Sequence, residues 1–296
     1  MDSQVYLALY TLVTCLGAGV LGFQGAACVR WRSERLNKAS AIVAGALALA
    51  GIALFALRLG RPERLFGGFA NLTSGVTLAL YGVVLFVVVC VAMIVMSSRT
   101  EDGSVPRWCG IAAIVVSVLL VAGMTCGAVL SAKPGVGLYT LMALYLGAAL
   151  LFGAAAHLVL GALLKDEDAC KTGCAALAVC AVLAGVGLAA YLVWYGLDTQ
   201  AAAQATKSTY SMSTHMIGGA KQIAATDRLA VVTSGAQAVL FWGGSVAPLV
   251  CGAAALVVGK GDVLEKRGVL LVLGLAALVC ALAGGWCLRL CLATLV

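Results

Sequence analysis

Residues 75–96 read GVTLALYGVVLFVVVCVAMIVM, a run from Gly75 to Met96 without one charged side chain. As a helix it would be about 33 Å long, enough to cross a hydrocarbon core of about 30 Å. In lipid no water is present to satisfy backbone N–H and C=O groups, so such a run crosses as a helix. Seven more stretches of this kind lie on either side of it: Val5–Cys28, Ala39–Leu57, Cys109–Leu130, Gly137–Leu164, Thr172–Tyr195, Leu229–Val258 and Gly268–Leu292. The pattern predicts an all-α integral membrane protein, a bundle of about eight transmembrane helices forming one domain over residues 1–296.

Composition supports the same class. Apolar residues make up 63% of the chain and charged residues 10%, with mean hydropathy +1.08. A soluble domain carries about 25% charged residues, so this chain lacks the polar surface to dissolve. Its 36 glycines read as packing positions, where helix backbones approach closely in lipid. No basic or acidic tail and no Lys/Arg run points to nucleic acid. The leading MDSQ has an acid and no Lys or Arg, unlike a signal-peptide n-region, so the first apolar stretch is expected to be a retained helix.

Twelve cysteines are scattered, with no C-x-x-C among them. Cys15, Cys90, Cys126, Cys180, Cys251 and Cys280 lie in apolar runs, where Cys acts as a small hydrophobe. Cys170/Cys174 and Cys287/Cys291 are one helical turn apart, a spacing that fits packing better than half of a metal site. No haem, iron–sulfur cluster or metal is expected on this chain. His157 and His215, the two histidines, fall at opposite membrane faces and cannot sandwich a haem. Ionisable groups inside the helices are almost absent, which argues against a proton pump or ion-coupled transporter.

Lys and Arg set the expected orientation. The odd-numbered loops and their flanks hold eleven of them, and the other side holds eight spread over longer segments. Both termini are therefore expected outside the cytoplasm. Trp31 and Trp108 at one face, with Trp194 and Tyr195 at the other, fit interfacial anchors. The one long loop, 196–228, is polar, and its AAAQATKSTYSMSTHMIGGAKQIAATDR portion suits an amphipathic helix along the outer face. No clean repeat relates the two halves.

The densest polar group follows the second helix: Arg58-Leu59-Gly60-Arg61-Pro62-Glu63-Arg64, then Asn71-Leu72-Thr73-Ser74-Gly75. Three arginines on the outer side run against the positive-inside tendency. They either snorkel to headgroups, with Glu63 pairing a neighbour, or form a docking surface or the polar wall of a headgroup pocket.

At these residues the chain resembles the membrane anchor subunits of dimethyl sulfoxide reductase, within the wider polysulfide-reductase-type quinone-interacting anchors. Their hallmark is a Leu-His-Leu-Gly-x-Pro-x-Arg-like segment ending the second helix, followed by Thr-Ser. Here it reads Leu57-Arg58-Leu59-Gly60-Arg61-Pro62-Glu63-Arg64, with Thr73-Ser74 beyond it, and the last helix carries Ala283-Gly284 and Arg289. The resemblance implies a subunit that oxidises menaquinol at the outer face of a prokaryotic cytoplasmic membrane. Electrons would pass to an iron–sulfur subunit and then to a molybdopterin catalytic subunit, in anaerobic respiration. It further implies that Arg58, Asn71, Thr73 and Arg289 frame the quinol headgroup at the outer ends of the second, third and eighth helices, while Arg61 and Arg64 dock the iron–sulfur partner.

The family's ionisable set is replaced here. Its motif histidine is Arg58, the glutamate early in the third helix is Ala79, and the one before the last-helix arginine is Gly285. Arginine donates hydrogen bonds but is no base near pH 7. The proton role then falls to Asp198, His215, Asp227 or Glu63 through water, or quinone chemistry is altered or lost. A purely structural anchor and a small-molecule permease are the alternative readings. The permease would want Gly/Pro-broken helices in matching positions of two halves, and the four prolines (Pro62, Pro106, Pro134, Pro248) do not supply them.

Overall fold

The computed structural model describes residues 3–30, 36–59, 75–100, 103–131, 138–210, 235–261, 263 and 265–293. Within them the chain forms eight long helices: α1 (Ser3–Arg30), α2 (Leu36–Leu59), α3 (Gly75–Arg99), α4 (Arg107–Ser131), α5 (Leu138–Leu164), α6 (Glu167–Tyr210), α7 (Gly235–Val258) and α8 (Arg267–Ala293). All eight are long and apolar enough to span a bilayer, so the chain is a multi-pass membrane protein. The helix carrying residues 75–96 is α3, as its composition predicts.

Side chains are sorted as lipid requires. Large aliphatic residues such as Leu49, Val88, Val186 and Val239 point outward, each more than half exposed. Polar residues Thr11, Thr77, Ser117, Thr125, His157 and Arg289 lie buried between helices. With apolar solvent on the outside, polar groups gain only by facing other helices.

The helices form two rings of four. α1, α2, α3 and α4 each pack on the next and α4 closes back on α1; α5, α6, α7 and α8 repeat the same cycle. The rings meet mainly where α1 packs on α5 and α8. A duplicated arrangement is thus present although no repeat is legible in the sequence. Ring closure needs only one apolar face per neighbour, and many residue choices supply that.

Glycine sets the closest approaches. A Cβ added to Gly19 of α1 would run into the carbonyl oxygen of Ala149 on α5, and one on Gly153 into the carbonyl oxygen of Gly19. In α7 and α8, a Cβ on Gly284 would stand 2.9 Å from the Gly244 Cα. Only a residue without Cβ lets the backbones touch at these crossings.

The α5–α6 turn is tight and well capped. Lys165 adopts φ 57°, and the Asp166 N–H donates 3.0 Å to the Gly161 carbonyl, which closes α5 with a Schellman-type cap. Asp166 then caps α6, its Oδ1 accepting the Ala169 N–H at 3.1 Å. Glu167 in the first turn of α6 pairs with Lys171 at 2.6 Å.

One boundary departs from expectation. The sixth helix was expected to end at Tyr195, with a long loop beginning at Gly196; instead α6 runs unbroken to Tyr210. Gly196 alone costs a helix only about 1 kcal/mol. The following Ala/Gln-rich run has no proline and favours helix, so it continues the existing one. Residues 211–228, the remainder of the expected amphipathic segment, lie outside the described residues.

Candidate functional site

Arg289 sits four residues from the end of α8, yet it is only 3% exposed. Helical side chains lean back toward the helix N-terminus. Arg289 follows this rule and folds over Gly285, where an added Cβ would come within 3.0 Å of its Nη1. The guanidinium therefore lies about one turn, roughly 5 Å, deeper in the bundle than its own Cα. Snorkelling would have carried it the other way.

Three helices enclose this group. The Arg289 guanidinium lies over the Tyr145 ring of α5, 5.2 Å from its centroid. Tyr145 is itself buried, with Thr11 of α1 beside its hydroxyl. Cys15 of α1, fully buried, stands beside the guanidinium, and Leu12 completes the α1 wall against Gly285. An aromatic face stabilises a guanidinium by about 2 kcal/mol when desolvated. That is less than the several kcal/mol lost by taking the charge out of water. Nε and Nη2 of Arg289 have no hydrogen-bond partner. Gly285, one turn back on the same helix, offers the guanidinium no side-chain acceptor.

A cavity of about 70 Å³ lies next to this group, between α5, α6, α7 and α8, and shares Gly285 with its wall. Leu144, Leu151, Phe152, Leu188 and Phe241 supply most of its surface. Ser245 is the one polar side chain in the lining, and its hydroxyl donates to the Phe241 carbonyl at 2.8 Å.

The residues expected to form a site divide sharply. Arg289 is described in full. Arg58 lies in the last turn of α2 and Asp198 in the extension of α6, both with side chains outside the described residues. Asn71, Thr73, Arg61, Arg64, Glu63, His215 and Asp227 also fall outside them. Ala79 is buried in α3. α8 packs on α7, α5 and α1, whereas α2 packs on α1, α3 and α5. Arg289 thus meets Tyr145 and Cys15, residues no sequence signal marked. The helix carrying Arg58 reaches this neighbourhood through α1, whose Tyr10 ring lies 4.9 Å from that of Phe55, one turn before Arg58.

Other buried polar atoms sit elsewhere. His157 of α5 is 3% exposed, its ring 4.9 Å from that of Phe23 and its Nε2 without a partner. Near the far ends of α1 and α2, Asn37 accepts from Gln24 at 2.7 Å and donates to the Gly103 carbonyl at 3.0 Å. That network ties α1 and α2 to the α3–α4 turn. Eleven cysteines are free, and no group of three or more His, Cys, Asp or Glu comes together among the described residues.

Fold and site together define a polytopic helical membrane protein with a buried arginine two of whose nitrogens, Nε and Nη2, have no hydrogen-bond partner. No family model matches the chain, and no curated protein matches it.

Proposed function

We propose that this chain is the membrane anchor and quinol-oxidising subunit of a dimethyl sulfoxide reductase-like molybdopterin complex. It would sit in a prokaryotic cytoplasmic membrane with both termini outside and pass electrons to an iron–sulfur subunit. The observation that supports this reading is the Arg289 guanidinium: buried, stacked on Tyr145 and holding two unpartnered nitrogens. A buried charge without an acceptor favours any ligand that brings one. A quinol oxygen is such an acceptor, and it gains negative charge as its proton leaves. Arg289 would therefore hold the quinol and favour its deprotonation, while the permanent positive charge keeps Arg289 itself from acting as base.

The overall reaction takes menaquinol to menaquinone, two protons and two electrons. The electrons go to the partner's clusters. The protons leave on the outer side, with Asp198 in the α6 extension and His215 as the candidate acceptors. Arg61 and Arg64 would face the iron–sulfur partner, with Arg58, Asn71 and Thr73 along the rim between dock and headgroup. An anchor without quinone chemistry is the second reading. It is favoured by Ala79, buried in α3 where the related pattern carries a glutamate.

Titrating the full purified chain with menaquinone-4, followed by tryptophan quenching, separates the two readings. A hydrogen bond to a charged group is worth about 1.5–3 kcal/mol, so Arg289→Ala should weaken binding by about tenfold or more. Unchanged affinity in Arg289→Ala, or no binding by the unaltered chain, leaves the structural anchor standing.

A further inference from the structure

We infer that the half-open cavity between α5, α6, α7 and α8 seats the isoprenoid tail of the quinol where the tail leaves the headgroup. This inference rests on Arg289 being the headgroup contact.

Position comes first. Gly285 lines the cavity and also lies against Nη1 of Arg289, so one residue separates the guanidinium from the cavity. A ligand oxygen at the guanidinium would have its ring substituent at the mouth of this space. The Arg289 side chain is 97% buried by its 3% exposure, so the guanidinium points into the protein and does not reach for the membrane surface.

Chemistry selects the occupant. A water held in a cavity needs two to four polar partners, about three on average. Here the single lining hydroxyl, that of Ser245, is already bonded to the Phe241 carbonyl. Apolar voids stay dry and take hydrocarbon. The volume of about 70 Å³ is about half that of a dry apolar cavity that takes benzene, so it seats part of one isoprene unit, the rest following the open side of the cavity. A branched, unsaturated unit between Phe152 and Phe241 also suits the aromatic lining.

The tail needs an exit. Gly185 of α6 lines the cavity, and a Cβ there would meet nothing within 4 Å. Its neighbours Val182 and Val186 are 56% and 61% exposed on the lipid-facing side of the same helix. The wall at Gly185 is thus the thin place through which later isoprene units would pass into the bilayer.

Gly185 also provides the test, because a Cβ there meets no packed atom and a large side chain at this lining position would take up the cavity. The full chain in lipid nanodiscs is titrated with menaquinone-4 and with tail-less menadione. Gly185→Phe should weaken menaquinone-4 by about tenfold while menadione binding stays within about twofold. Val182→Phe, a lipid-facing change on the same helix, should alter neither. If Gly185→Phe leaves menaquinone-4 unaffected, or weakens both quinones equally, the cavity is not the tail seat, whereas Arg289 as headgroup contact survives. If the unaltered chain binds neither quinone, the headgroup reading falls and takes this inference with it.

Discussion

Gly19 and Gly153 touch backbone to backbone where α1 crosses α5, and this contact joins the two four-helix rings. A β-carbon on either would enter the other helix's main chain, which cannot move aside as a flexible side chain does. Gly19→Val or Gly153→Val should therefore cost about 3 kcal/mol or more, at the upper end of overpacking effects. Gly243, whose added Cβ would meet nothing within 4 Å, is the matched control. Thermal unfolding in detergent, read by cysteine accessibility, should show a large drop for the first pair and almost none for Gly243→Val.

Arg289 sets stability against binding. Replacing even a buried ion pair by apolar residues of similar volume is often neutral or stabilising by about 1–4 kcal/mol, and a buried guanidinium with two unpartnered nitrogens has less to lose than a paired one. Arg289→Met should thus raise the unfolding temperature of the ligand-free chain and abolish its response to menaquinone. A variant that is less stable than the original would mean that the guanidinium already has a strong partner.

Orientation is checked independently of any ligand. A reporter active only in the cytoplasm, fused after Val296, should give no signal. A strong signal would place the Arg289 end of the bundle inside and overturn the proposed outer quinol site.

Lys165 holds a left-handed backbone conformation that glycine adopts without penalty. Lys165→Gly should stabilise the chain by about 0.5–1 kcal/mol, since αL geometry disfavours residues with a β-carbon. Asp166→Ala removes the α6 cap and should cost about 1 kcal/mol. Both shifts are readable in the same melting assay, and a destabilised Lys165→Gly would contradict the cap assignment.

The fold was legible because its signal is additive. Each apolar run is long, and loops such as KDEDACK stop it with residues that cannot stay in lipid. Helix ends moved by a few residues except at Tyr195, where a single glycine resembled a stop and the helix continued. The site was legible only in part. Arg289 was marked through the resemblance of the last helix, but its partners were not marked at all. Tyr145 and Cys15 are apolar enough to pass as lining, and they are brought to Arg289 from 144 and 274 residues away by ring packing. A single sequence records no such pairing, just as it concealed the duplicated ring.

The junction between the rings also governs when the protein matures. Tyr145 and Arg289 belong to the second ring, while Cys15 and Thr11 come from the first. Each ring closes within its own four helices. The wall around the guanidinium exists only after α1 has docked on α5 and α8. During biogenesis the arginine thus remains incompletely enclosed until the halves engage, and a half-assembled chain lacks the walls on which the proposed quinol contact depends.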